Sequence, residues 1–432
     1  MFILVALFTA FCVVYGVWVQ FPSLQNEALI KECQSLGDER FASLQAVAND
    51  PAQNGFLSET FRPYWDFRDK GYVEDNEVRD VMSAWYESYA TPGKGEVVDH
   101  KALQDSKDTL YLKARSDFEK LIPELTQEIR KPCFVVPMEK IDINERTPDM
   151  LALRGIAQAL AGYADSQVAE GELAEAIETL STILALGNST SGQGFIVADL
   201  IAASILTLAY DASLTDFPPS SELDAEQWKN LSQTFLTSLP PEDQLYQLLQ
   251  SEVWLFRKDF NGDTLGGVTR LPGFLAREQR IFENKMCEIL TAVKLDDPDA
   301  LIIETPGLGS LLTGKSGLIA SMLFPSYSRA GAKLTLTRKK LLSRGICAAL
   351  LSYRKSKGTW PSELANLSEI GLDLPFEATP ARLEYKLEGD KALLTTSLSA
   401  AENEGHHSRD NSYPESPWAR QDKEGSKWVY EL

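Results

Sequence analysis

The sequence predicts a mainly α-helical protein: an irregular helical body with a helical-hairpin core, a small antiparallel β element at the C-terminus and one transmembrane helix at the N-terminus. Three observations predict it. Residues 1–19 carry no charged side chain, apolar residues recur at helical spacing through the middle of the chain, and alternation with a period of two replaces that spacing near the end. On this reading the 432 residues divide into an anchor at 1–21, a mixed aromatic-rich region at 22–147, an all-helical core at 148–330 and a helix with a small β hairpin or sheet at 331–432.

At about 1.5 Å of rise per residue, a helix from Met1 to Val19 reaches roughly 28 Å, close to the hydrocarbon thickness of a bilayer. Tyr15, Trp18 and Phe21 stand near its far end, where amphipathic rings favour the headgroup layer, and Pro22 stops the helix. A cleaved signal peptide would want a basic start, a shorter apolar core and a small-x-small cleavage site, none of which is clear here. Residues 1–19 are therefore expected to remain as a single-pass anchor in the cell membrane. Lys31 and Arg40 are offset by Glu27, Glu32, Asp38 and Glu39, so the charge rule gives little direction. Analogy with signal anchors places the body on the extracytoplasmic, periplasmic side.

The remaining ~410 residues, with 44% hydrophobic content in the chain as a whole, suffice for an ample core. A net charge of −20 argues against nucleic acid and anionic lipid headgroups as the principal partner, because those surfaces are bound through clusters of Lys and Arg. Beyond the anchor, Cys33, Cys133, Cys287 and Cys347 are widely spaced without a C-x-x-C pair, which argues against a zinc ribbon or thioredoxin-type site. Two disulfides or four separate thiols both fit.

In the second region, helices are expected at Asn26–Ala48 and Lys101–Arg130. The rings of Tyr64, Trp65, Phe67, Trp85, Tyr86 and Tyr89 between them are irregularly spaced and read as core packing. Pro132 to Pro137 reads as a short extended connection. From Pro148 the pattern sharpens. Leu153, Ile156, Ala157, Leu160 and Ala164 follow one helical stripe; Leu173, Ala176, Ile177, Leu180 and Leu184 follow another, with Gly171 at the turn between them. Phe195–Tyr210 is apolar on nearly every face and reads as a buried central helix, Asp199 notwithstanding. Helices follow at Ala225–Ser238, Glu242–Phe256, Pro272–Val293 and Lys333–Ser356, with a loop at Gly262, Gly266 and Gly267. Leu383–Leu387 and Ala392–Ser397 form a hairpin around Gly389 and Asp390, Lys427–Leu432 supplies a third strand, and Ala400 to Lys427 reads as a loose loop.

The sharpest chemical motif is G-x-x-x-x-G-K-S at Gly309, Gly314, Lys315 and Ser316, the pattern of a phosphate-cradling loop. Such a loop follows a buried strand and opens a long helix whose amides hold the phosphates. Pro306 separates the motif from the strand-like run Leu301–Ile303, and Pro325 is expected to interrupt the helix. No nucleotide or other cofactor is therefore assigned. Of the three histidines, His100 is the one general-base candidate outside the tail and reads as solvent-exposed, while His406 and His407, near Glu402, Glu404 and Asp410, lie in a loop without evident rigid support for a metal. The carboxylates Glu170, Glu172, Glu175 and Glu178, and Asp296, Asp297 and Asp299, read as solvated faces. No catalytic set is assigned.

Two local resemblances and one wider one stand beside this reading. The segment GYADSQVAEGELAEAIETL resembles a tetratricopeptide helix pair, present once and without the repeat at a period of about 34 residues that a solenoid requires. The segment ALLSYRKSKGTWPSELANL, with Tyr353, Gly358, Trp360, Pro361 and Leu364 before the hairpin, resembles the C-terminal half of type II secretion pseudopilins. The chain lacks their prepilin processing signal, and Pro375 and Phe376 stand where an Asp-Pro is usual. The order of anchor, PCFVVP, the hairpin at Gly171, LPGFLAREQ, LFPSYSRA and the Gly-Trp-Pro segment is similar to that of a set of uncharacterised bacterial membrane-anchored helical proteins. The resemblance implies no activity. Together these observations lead to the expectation of a non-enzymatic envelope scaffold that binds a protein partner, with a secretion setting implied by the tail; the alternative is an enzyme, either a nucleotide hydrolase of the phosphate-loop kind or an extracytoplasmic hydrolase.

Overall fold

The computed structural model describes residues 26–61, 77–89, 100–105, 108–135, 143–191, 196–259, 274–294, 318–375, 383–398, 418–421 and 427–432. The expected anchor at 1–19 lies outside them, as do Tyr64, Trp65, Phe67, Asp296, Asp297, Asp299, His406 and His407. The described residues are mainly helical, with one small antiparallel sheet.

Eleven helices are described: α1 Glu27–Ala48, α2 Glu77–Tyr89, α3 His100–Asp105, α4 Thr109–Ile129, α5 Ile143–Glu170, α6 Leu173–Thr190, α7 Ile196–Asp216, α8 Ala225–Thr237, α9 Gln244–Asp259, α10 Phe274–Lys294 and α11 Leu318–Lys357. Strands β1 Leu383–Glu388, β2 Lys391–Ser397, β3 Ala419–Gln421 and β4 Lys427–Glu431 follow. They form one sheet in the order β1-β2-β4-β3, every described pair antiparallel.

Three expectations need correction. The helix expected over Lys101–Arg130 is two helices, because the Asp108 carboxylate accepts the amides of Leu110 (2.9 Å) and Tyr111 (3.2 Å) and so starts a new one. The helix expected at Lys333–Ser356 begins at Leu318 and runs through Pro325. A missing amide costs a long helix one hydrogen bond, which 40 residues of helix absorb. The expected loose loop from Ala400 to Lys427 contains β3, held by the register Ala419↔Tyr430 and Gln421↔Trp428. Its three residues are too few for alternation to reveal.

Other expected helices and strands that fall among the described residues are found there, with shifts of a few residues at their ends. Gly171 turns α5 into α6 with φ 82°, and the Glu172 amide donates back to the Gln167 carbonyl at 2.9 Å, a closure that favours a residue without a Cβ. Gly389 (φ 63°) likewise supplies the hairpin between β1 and β2. Helix α7 is long and apolar enough to cross a membrane, yet 67% of its most apolar stretch is buried in protein. Ala198, Ala203 and Leu208, on three different faces, are all enclosed, so α7 belongs to the core. Trp85 is also core: it stacks on Phe118 (5.6 Å, 12°) and donates its indole N–H to the Ala159 carbonyl at 2.9 Å, whereas its neighbour Tyr86 is exposed.

The chain divides into two compact units. Described residues of the first come from 26–43, 196, 242–259, 274–294 and 318–332. Its core joins Ile30 and Cys33 of α1, Leu249, Val253 and Phe256 of α9, and Phe282, Met286 and Leu290 of α10. Phe256 and Phe282 stack with centroids 3.9 Å apart. The second unit holds the α5–α6 hairpin, most of α7 and the sheet. In it, Asn54 ties three segments together, donating to the carbonyls of Ala48 (2.8 Å) and Val135 (2.7 Å) and accepting from the Val135 amide (3.0 Å). Next to it, a Cβ on Gly55 would stand 2.0 Å from the Glu128 carbonyl oxygen. Gly55→Ala is therefore expected to destabilise the second unit by about 2 kcal/mol or more, since backbone, not a flexible side chain, would have to give. Urea denaturation of the full chain in detergent measures it, and a change within about 0.5 kcal/mol would contradict the close approach.

Candidate functional site

The residues that stand out in the second unit are Asp165, on α5, and Asp216, the last residue of α7. Their carboxyls hydrogen-bond to each other. Two carboxylates at that range repel, and both are half-buried, which favours one proton on the pair over two charges. Burial pushes Asp165 up to about 6, against the hydrogen bond from Asp216, which pulls it down. Burial and then the charge of Asp165 raise Asp216 well above the ordinary carboxylate range.

Arg344 of α11 stands beside the pair, fully buried. Its Nε donates to the Ser213 hydroxyl (3.0 Å), and Nη2 donates to the carbonyls of Ser213 and Phe217 (2.9 Å each). These carbonyls end α7, where a cation meets the negative end of the helix dipole. The guanidinium carbon lies 5.7 Å from the Trp228 ring and 5.2 Å from that of Trp418. Burial, its largest influence, lowers the Arg344 pKa to about 10, so the group is still charged at neutral pH.

The same helices receive the sheet. Trp418, just before β3, donates to the Leu214 carbonyl at 3.3 Å; Trp428 of β4 donates to the Tyr210 hydroxyl at 3.0 Å; and the Tyr210 and Tyr430 hydroxyls are 2.8 Å apart. Lys340 lies over the rings of Tyr210 and Trp428 at 5.2 and 5.6 Å. The carboxyl pair, the arginine and the aromatic cluster thus join α5, α7, α11 and the sheet. Chemically the pair can hold one proton at the end of α7, and Arg344 supplies a fixed positive charge beside it.

In the first unit, Glu252 of α9 accepts the Ile196 amide (2.6 Å) and the Tyr327 hydroxyl (3.0 Å). Burial and then the Glu252 charge raise the Tyr327 phenol. Arg277 and Glu278 of α10 form a buried ion pair at 3.1 Å, and Glu283 accepts from Arg257 and, at 2.9 Å, from Gln279. The segments LPGFLAREQ and LFPSYSRA, exposed by neither composition nor charge as core, therefore place Arg277, Glu278 and Tyr327 inside one unit.

Gly309, Gly314, Lys315 and Ser316 lie outside the described residues; α11 begins two residues after Ser316. His100 opens α3. Glu170 and Glu178 are engaged with Arg115 and Arg130, and Glu172 lies 3.4 Å from Arg115, so these acids tie the hairpin to α4 and are not only a solvated face. Cys33, Cys133, Cys287 and Cys347 are free thiols. Burial pushes Cys33 up to about 12 and Cys287 to about 11, which keeps both protonated and poorly nucleophilic. Sequence reasoning missed Asp165 and Asp216. Each sits within an otherwise helical stretch like any surface acid, and only the meeting of two helices 51 positions apart distinguishes them. No known protein family matches the chain, nor does any curated protein or solved structure.

Proposed function

We propose that the protein is a membrane-anchored, non-enzymatic helical scaffold of the cell envelope, whose body lies on the extracytoplasmic side and presents a rigid surface to a protein partner. The observation that carries this reading is the way the pseudopilin-like tail is built onto the helical body. Trp360 donates to the Asp390 carbonyl at 2.8 Å, Arg354 lies 4.5 Å over the Trp360 ring, and Tyr385 donates to the Pro361 carbonyl at 2.8 Å. The Gly-Trp-Pro segment and the hairpin therefore form one piece with the end of α11. Through Trp418, Trp428 and Tyr430, the other side of the sheet is fixed to α7. A display module needs such rigidity, and Arg344 and Trp418 add to it at the end of α7. The uncharged run at 1–19 supports the anchor, and the tail's likeness to pseudopilins supports a secretion or surface-assembly setting.

A reporter fused after Leu432 tests the topology. An alkaline phosphatase fusion is expected to be active; activity confined to a cytoplasmic reporter would overturn the placement of the body. Crosslinking in intact cells followed by detergent extraction is expected to return an envelope protein, and repeated failure to do so would count against a scaffold.

One observation favours the nucleotide reading: α11 continues through Pro325, giving the Gly-Lys-Ser motif a long helix immediately after it. If Lys315 and Ser316 cradle phosphates, millimolar nucleotide with magnesium raises the melting temperature of the full chain and Lys315→Ala abolishes the shift. No shift in the wild type ends this alternative.

A further inference from the structure

Strand β1 lies at one end of the sheet, and among the described residues no strand pairs with its outer edge. The register with β2 runs unbroken from Leu383↔Thr396 to Glu388↔Lys391, without a bulge, and β1 contains neither proline nor glycine. A bulge or a proline would close such an edge to any strand, whereas the charged residues that β1 does carry restrict pairing to a strand of complementary charge. The charged side chains of Glu384, Lys386 and Glu388 stand on one exposed face. On the other face, Leu383 is buried, Tyr385 bonds to Pro361, and Leu387 remains 44% exposed.

The backbone directions follow from the turn. A two-residue hairpin loop closes on a hydrogen-bonded pair, here Glu388 and Lys391, so Glu388, Lys386 and Glu384 direct their amides and carbonyls to β2. Leu387, Tyr385 and Leu383 direct theirs outward. The outward groups belong to alternate residues centred on Tyr385.

We propose that the outer edge of β1 pairs antiparallel with β1 of a second copy of this chain, about a two-fold axis at Tyr385. In that register Leu383 faces the second copy's Leu387, Glu384 faces its Lys386 and Tyr385 faces its own counterpart. Every outward residue then meets another outward residue, and each such pair exchanges two backbone hydrogen bonds. The charges select the register. Sliding two residues toward the turn sets Lys386 against itself and Glu384 against Glu388; sliding the other way sets Glu384 against itself. Only the register centred on Tyr385 puts opposite charges across the axis and covers Leu387 with leucine. Within one copy Glu384 already meets Lys386, and Lys427 of β4 at 3.9 Å. Both of these lysines remain on the same face in the dimer.

Sedimentation of the full chain in detergent micelles tests the proposal. The wild type is expected to dimerise. Lys386→Glu places Glu against Glu twice across the axis, and Glu384→Lys places Lys against Lys twice; each is expected to weaken the dimer by roughly tenfold or more. Because the side chains are 61% and 45% exposed, neither change disturbs packing. A one-to-one mixture of the two variants restores both complementary pairs, so a heterodimer is expected where neither variant dimerises alone. A monomeric wild type, single variants that dimerise like the wild type, or a mixture that fails to associate would each overturn the proposal.

Discussion

Replacing Arg344 with methionine is expected to destabilise the second unit by about 3–4 kcal/mol, the sum of lost charge-assisted hydrogen bonds and an orphaned carbonyl. Methionine approximates the length of the stem but cannot donate. The Ser213 carbonyl keeps its helical partner, the Phe217 amide, at 3.2 Å, whereas the Phe217 carbonyl is left without Arg344 in a buried place. The rings of Trp228 and Trp418 also lose the cation between them. Arg344→Lys keeps the charge and forfeits the fork, and is expected to cost about half as much. Urea denaturation followed by tryptophan fluorescence measures both, since two of the reporting rings flank the site. A loss below about 1 kcal/mol for the methionine variant would mean that the guanidinium does not hold the end of α7.

The second large effect concerns Asp165. Its folded pKa, about 6, exceeds the ordinary aspartate value of 3.8, so the folded chain binds more protons than the unfolded chain between those values. Stability from this group is therefore complete below about pH 3.8 and is lost as the pH rises through about 6. Asp165→Asn removes the titration while leaving an amide that can donate to Asp216. At pH 7.5 the variant is expected to exceed the wild type by up to about 3 kcal/mol, roughly two pKa units of differential interaction. At pH 3.5 the two are expected to agree within about 0.5 kcal/mol, because there the wild-type pair is already protonated. An equal difference at both pH values would show that the effect of the substitution is packing and not the shared proton.

Much of the fold is legible because helices and hairpins are local. The stripes Leu153–Ala164 and Leu173–Leu184 bury one face each, and Gly171 and Gly389 occupy backbone conformations that disfavour a Cβ. Trp85, read as core, is core. The errors have the same origin in reverse. Asp108 looks like any helical acid until its carboxylate is seen capping α4, Pro325 reads as a breaker though α11 continues past it, and β3 is visible only through its pairing with β4.

The sequence by itself determined the helical class, the hairpin at Gly171, the β hairpin at Gly389 and the apolar character of α7, because each depends on side-chain periodicity or backbone conformation within one segment. Tertiary structure alone decided which charges matter. Asp216 feels the charge of Asp165 only because α5 meets the end of α7, and Arg344 caps that end from a helix far along the chain. Whether a carboxylate or guanidinium is solvated or held depends on the dielectric and the partners around it, and those are properties of packing, not of neighbours in sequence.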